Sequence, residues 1–332
     1  MKSVLSRKVT SLLIGLASLG IFQATAFAQA DAYPNRPIKL VITWPVGGFA
    51  DTLGRTVANQ LGPILGQQIV VENRGGANGM IGADTVAKAA PDGYTLMFQS
   101  VTSHAINPTM YGKTPYSTEK DIVPLAVVAS VPMLLVANPS LPAKNIAELI
   151  ALAKKKPDEL SYASFGNGSA SHLAGELFTN QAGIKMTHIP YKGGAPAITD
   201  TLSGQVPMSF SAFGVALPHV KSGKLIALGT TGPTRAKLLP DVPTIEEAGN
   251  LKGYEMSIVY AVWAPAGVPV PILSKLTKAL EQVVASAAFK EKVASDGGEV
   301  MNLSTPAESN AYFQKEMQRL SKIVKDGNIK AD

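Results

Sequence analysis

None of the 332 residues is a cysteine. That absence excludes disulfides, a thiol nucleophile, a cysteine-ligated metal and a lipid-anchored N-terminal cysteine together. Histidine is nearly as scarce. His104, His172, His188 and His219 are scattered and no H-E-x-x-H pair occurs, so no metal site is expected. Charged residues make up only 16% of the chain, with no dense Lys/Arg block. The formal net charge of +6 includes Lys2, Arg7 and Lys8; without these three the remainder carries +3, which gives nucleic-acid binding little support. Beyond residue 30 no apolar run is long enough to span a bilayer, so the mature chain is not expected to be membrane-embedded. Common catalytic motifs are missing as well. Gly168-Ser169-Ala170 lacks the G-x-S-x-G frame. Gly112-Lys113-Thr114 has Asn107 where a phosphate-binding loop needs its leading glycine, and Gly76-x-x-Gly79-x-x-Gly82 is not the dinucleotide fingerprint.

What is present begins with a basic stretch at 1–8, an apolar small-residue run at 9–22, and Ala24, Ala26, Ala28 and Ala30 at alternate positions. That layout predicts a cleaved export signal over residues 1–30 and a periplasmic destination. The run is short and broken by Gly15, Ser18 and Gly20, which argues against a transmembrane anchor. About 300 residues remain, enough for two domains of ordinary size.

Hydrophobic periodicity alternates between strand and helix. Strands are expected at 38–43, 68–72 and 94–98, with helices at 51–65 and 79–90 between them. This is a βαβαβ pattern, hence a parallel sheet covered by helices. A long β-rich segment at 125–137 is interrupted by Pro132. Alternation then resumes: helices at 145–156, 169–181, 195–202 and 214–221, strands at 160–164, 186–190, 206–210 and 225–230. A Pro/Gly-rich loop at 231–253 precedes a second β-rich segment at 254–264 and a helical tail at 271–285, 289–295 and 305–326. The economical layout is α/β with two domains and a hinge crossed twice: 31–125 with 255–332 as the first, discontinuous domain and 126–254 as the second.

Four strand-to-helix loops carry the candidate chemistry, since ligands of open α/β sheets bind at the carboxyl ends of strands. The first contains Val46, Gly47, Gly48, Phe49 and Asp51. Its glycines permit close backbone approach, Asp51 can cap the helix, and the first-turn N–H groups favour an anion. A Gly-Gly turn is also ordinary connector chemistry. The second contains Ser164, Gly166, Asn167, Gly168, Ser169 and His172; Ser169 can cap its helix, and Ser164 and Asn167 can donate hydrogen bonds to a carboxylate. The third offers Tyr191 and Lys192, the latter equally readable as a solvated lysine. The fourth follows the third strand with Ser100, Thr102, Ser103 and His104.

Several of these stretches resemble the Bug, or TctC-like, substrate-binding proteins of tripartite tricarboxylate transporters. The matching motifs are Pro45-Val46-Gly47-Gly48-Phe49-Ala50-Asp51, Val71-Glu72-Asn73-Arg74 with Gly75, Gly76 and Gly79, and Pro91-Asp92-Gly93-Tyr94-Thr95-Leu96. Further on come Gly166-x-Gly168-Ser169-x-x-His172-Leu173, Pro190-Tyr191-Lys192-Gly193, Leu239-Pro240-Asp241-Val242-Pro243-Thr244 and Ala264-Pro265-Ala266-Gly267. They occur in the family's order across essentially the whole mature chain. The resemblance implies a two-domain type II periplasmic-binding-protein fold and a small carboxylate ligand held between the loops at 46–51 and 164–172. It also implies delivery to membrane transporter subunits of a tripartite system. No cofactor and no catalytic residue are expected, and a monomer is the default for a soluble carrier. Dicarboxylates, tricarboxylates, amino acids and aromatic acids all remain open. Two departures stand out. Trp44, Val46 and Phe49 make the first loop bulkier than the family pattern, which favours an aromatic acid. Pro207 occupies a position that is commonly acidic and puts the pairing of its strand in doubt. A ligand-sensing co-receptor for a sensor kinase needs the same closure and stays open, as does, more remotely, a periplasmic enzyme.

Overall fold

The computed structural model describes residues 33–330, so the expected export signal lies outside the described residues. β1 (Ile38–Ile42) leads into α1 (Phe49–Leu65). β2 (Ile69–Asn73) leads through a 3-10 turn at Ala77–Gly79 into α2 (Met80–Ala87), and β3 (Thr95–Ser100) leads into α3 (Val101–Tyr111). β1 pairs in parallel with both β2 and β3, the arrangement that helical crossovers permit. α1 forms because Leu53, Val57, Leu61 and Leu65 line one buried face, and Gly66 ends it in the left-handed conformation.

β4 (Ile122–Ala137) joins the two halves of the molecule. Its sequence suggests a break at Pro132, yet the strand runs unbroken for 16 residues. The proline sits where β4 changes partners. Up to Pro132, β4 pairs antiparallel with β9 (Ser257–Pro265), and β10 (Glu299–Leu303) pairs with the same stretch. From Met133 onward it pairs with β7 (Met208–Ala212) and β8 (Ile226–Thr230). A residue without an N–H therefore falls at the join of two ladders, where it breaks neither.

The second half contains α4 (Ile146–Lys155), β5 (Ser161–Ser164), α5 (Ala170–Ala182), β6 (Thr187–Pro190), α6 (Gly194–Ser203) and α7 (Phe213–Lys221). β5 pairs in parallel with β6 and β7. The strand order β2-β1-β3-β9-β4-β7-β5-β6 thus describes two α/β lobes sharing β4. In the tail, α9 (Val270–Ala285) and α10 (Ala287–Ser295) pack on α1, and α11 (Pro306–Asp326) packs on α3. All nine residues of β9 are buried, and one apolar cluster runs from Ile38 and Phe98 through Trp263 to Phe178 and Phe210. Full burial of side chains this large stabilises by about 1.5–3 kcal/mol each.

Three details differ from the periodicity. β10 is an additional strand with weak alternation. The expected loop at 231–253 contains a short helix, α8 (Ile245–Gly249), held by a capping box between Thr244 and Glu247. Pro207 precedes its strand instead of lying in it, and its carbonyl accepts the Asn138 N–H at 2.9 Å. β7 is consequently a central strand between β4 and β5, and the doubt about its pairing is removed.

Candidate ligand-binding cleft

Five helices begin where a strand ends: β1 hands over to α1, β3 to α3, β5 to α5, β6 to α6 and β7 to α7. Their N-cap residues are Gly48, Ser100, Ser169, Gly193 and Ala212. All five line one cavity between the lobes, with about 890 Å³ of empty space partly open to solvent.

The five helix starts are not equivalent. Ser100 Oγ accepts the Ser103 N–H at 3.2 Å, and Ser169 Oγ accepts the His172 N–H at 3.3 Å, so α3 and α5 are capped from within. Gly48, Gly193 and Ala212 supply no side-chain cap. At α7 the Asp296 carboxylate of the tail presses against Gly214, where an added Cβ would lie 1.7 Å from Oδ1. The starts of α1 and α6, one from each lobe, therefore have N–H groups to offer a ligand. Among the described residues lining this cavity, Lys192 is the single charged one. Two helix starts and an ammonium, with no carboxylate in the wall, make the cavity electropositive.

Asp51 holds the first loop from behind the wall. It accepts the Gly47 N–H at 3.0 Å, Arg55 Nε at 2.9 Å and Asn73 Nδ2 at 2.8 Å. Burial pushes its carboxyl up, but the Gly47, Asn73 and Arg55 interactions outweigh that and hold it below the usual carboxylate range. Asp51 is thus ionised and fully engaged. Asn73 also donates to the Trp44 carbonyl at 3.0 Å, tying β2 to the same loop.

The second loop is fixed by a polar cluster. Ser164 Oγ lies 2.5 Å from His188 Nε2, and the His172 and His188 rings stack with centroids 3.9 Å apart. The Gly168 N–H donates to His172 Nδ1 at 3.2 Å, and Phe165 N–H to Ser171 Oγ at 2.8 Å. Gly166 is required here: its φ is +124°, and an added Cβ would meet the Tyr191 carbonyl at 2.9 Å. Burial, reinforced by His172, pulls the His188 pKa down to about 3.

Of the residues singled out in the sequence, Val46, Gly47, Gly48, Phe49, Ser100, Ser103, Ser169 and Lys192 line this cavity. Gly166, Asn167 and Tyr191 line an adjoining outer cleft of about 1440 Å³, where Val46 and Lys192 recur. The Tyr191 hydroxyl is committed to Asp200 at 2.6 Å. Asp51, Thr102, Ser164, Gly168 and His172 pack behind the surface and support it. Thr102 donates to the Ser257 carbonyl at 3.2 Å. His104 lies deepest, fully buried among Tyr116, Trp263 and Phe313, and burial pulls its pKa down to about 4. Sequence reading missed Phe165, Pro196, Ile258 and Tyr260, all in the cavity wall. Phe165 sits inside the second candidate loop, between Ser164 and Gly166, but no local motif marks the others: Ile258 and Tyr260 belong to β9, brought in by strand pairing far along the chain.

The lobes also touch outside the cavity. Asn78 Nδ2 donates to the Gly168 carbonyl at 2.7 Å, and the Tyr111 hydroxyl donates to the Asn167 carbonyl at 2.9 Å.

Comparison with known proteins agrees with this geometry. Protein BugT of Bordetella pertussis is 37% identical over 320 residues, spanning 95% of this chain and 98% of that one. An adipate-bound R. palustris protein is 34% identical, superposes with a TM-score of 0.85, and is matched over 90% of this chain and 99% of its own. MatC of Rhodopseudomonas palustris, with bound malate, is 30% identical with a TM-score of 0.82, over 88% and 100%. The two-lobed architecture is the periplasmic-binding-protein fold. Residues 53–329 match the model of the tripartite tricarboxylate transporter family receptor, TctC. The chain belongs to that family of solute-binding receptors, the Bug/TctC proteins.

Proposed function

We propose that this protein captures a small carboxylate between its two lobes in the periplasm and delivers it to the membrane subunits of a tripartite transporter. The observation that carries this reading is the convergence of two open helix starts, one from each lobe, and Lys192 on one cavity without an acidic residue in its wall. The adipate and malate bound by related proteins support the same ligand chemistry. Each open helix start favours an anion by about 0.3–1 kcal/mol, rising to about 2 kcal/mol when partly buried. Hydrogen bonds to a charged group add roughly 1.5–3 kcal/mol each. A few such contacts reach the roughly 8 kcal/mol of a micromolar complex without an arginine.

In this reading residues 33–125 and 255–330 form one moving body and 126–254 the other, with β4 and β9 flexing between them. Ligand bridges the starts of α1 and α6 and so favours the closed form through its differential affinity. The protein acts as a monomeric carrier and performs no chemistry on its cargo.

The test is thermal unfolding of the protein with citrate, succinate, adipate, malate, glutamate, benzoate and terephthalate, one at a time. An acid present at 100 times its dissociation constant adds about 2.7 kcal/mol and raises the midpoint by several degrees. At least one acid should do so, and Lys192→Ala should weaken its effect. A midpoint unmoved by every acid in the panel would overturn the reading.

A further inference from the structure

Resting on that carboxylate reading, we propose that the cavity selects a monocarboxylate carrying an aromatic or similarly flat apolar body over small di- and tricarboxylates. Charge is the first argument. Lys192 is the one full positive charge in the wall, and the two open helix starts contribute only partial charge beside it. One carboxylate is matched by this set. A second would find only the partial charge of the other helix start, among rings and aliphatic groups, and would recover less of its lost hydration.

The shape and composition of the wall are the second. Apart from Lys192, Ser100, Ser103, Ser169 and backbone groups, the wall is largely apolar, with the larger side chains Trp44, Phe49, Phe165, Ile258 and Tyr260 among smaller ones such as Val46 and Val215. Two of the rings are locked in place before any ligand arrives. Phe49 meets Tyr260 edge-on at 5.4 Å, and Tyr260 stacks flat on the buried Phe98 ring, also at 5.4 Å. A malate-sized anion would leave most of this surface against water, whereas a flat ring would bury it in offset or edge-to-face contact.

The relation between the two parts is the third. The Phe165 ring lies over Gly194, the first residue of α6, where an added Cβ would come within 3.2 Å of Cε1. An aromatic wall thus adjoins the helix start that takes the carboxylate. A ring joined directly to a carboxyl group, or through one methylene, places both ends where the cavity supplies their partners.

Isothermal titration of the purified protein with benzoate, phenylacetate, succinate, adipate, malate and citrate separates the possibilities. The expected result is that benzoate or phenylacetate binds at least about tenfold more tightly than any of the four polyacids. Phe165→Leu, verified as folded by circular dichroism, should weaken the ring acid by about tenfold. Equal or tighter binding of a di- or tricarboxylate would overturn this inference and leave the carboxylate reading standing. Binding of none of the six would overturn both. A ring acid that binds Phe165→Leu as tightly as the native protein would overturn the assignment of the aromatic wall.

Discussion

His104 and His188 are held neutral inside the fold, and this sets a pH dependence. His104 is wholly buried, and burial lowers its pKa from 6.5 to about 4. His188 is lowered by burial and then by its stacked neighbour His172, to about 3. A depressed folded-state pKa means the unfolded chain binds the proton first. The stabilisation is therefore complete above pH 6.5 and is lost as the pH falls toward 4. By pH 5 the contribution from His104 alone reaches about 2 kcal/mol of lost stability, with His188 acting in the same direction. Urea unfolding at pH 7.5, 6 and 5 should show a declining midpoint. A midpoint unchanged over that range would contradict the buried neutral state. At this scale the loops that line the cavity were legible in the sequence, because Gly47, Gly166 and Ser169 act through local conformation and capping. It did not show that Ser164, Thr102 and Asp51 turn away from the cavity. Their partners, His188, Ser257 and Asn73, come from other strands, and only the folded sheet brings them near.

Among the elements, the 3-10 turn at Ala77–Gly79 and the end of α3 form a bridge to the second lobe. Asn78 and Tyr111 donate to carbonyls of the loop that starts α5, and Asn78 is braced by Asn107 Oδ1 at 2.8 Å. In the proposed opening of the cleft these bonds would break, so on that reading they bias the ligand-free protein toward closure. Each contributes about 0.5–1.5 kcal/mol. The double variant Asn78→Ala, Tyr111→Phe should shift the open-to-closed ratio by about tenfold. Small-angle scattering without ligand should then report a larger radius of gyration, accompanied by weaker ligand affinity. An unchanged radius and affinity would show that the bonds do not govern closure. Element boundaries were legible where apolar residues recur at helical spacing, as in α1. They failed at Pro132, because β4 passes between two ladders there, and at β10, whose five residues have no buried member. The capping box Thr244-x-x-Glu247 was a readable signal for α8 inside a segment dominated by proline and glycine.

For the molecule as a whole, the shared strand has a thermodynamic consequence. β4 is hydrogen-bonded in both lobes, and a single apolar cluster reaches from one to the other. Unfolding one lobe strips half of the pairing from the strand on which the other depends. Calorimetry should therefore give one transition with a ratio of calorimetric to van't Hoff enthalpy near one. Two resolved transitions would mean the lobes are energetically separate. The two-lobed layout was legible from the restart of βα alternation after residue 137 and from the two β-rich segments at its borders. That the loops at 46–51 and 164–172 face each other was legible too, whereas the share of β9 in the wall was not, since Ile258 and Tyr260 are brought in by pairing far along the chain.

β9 also dictates an order of assembly. It lies between β3 and β4, so Ser100 finds its partner only when Tyr260 is present. A chain made N-terminus first holds the strands of its opening lobe with an unfilled slot while every strand of the other lobe is already available. The lobe that begins the sequence is the one that must finish last, after long-range pairing that slows folding relative to local contacts.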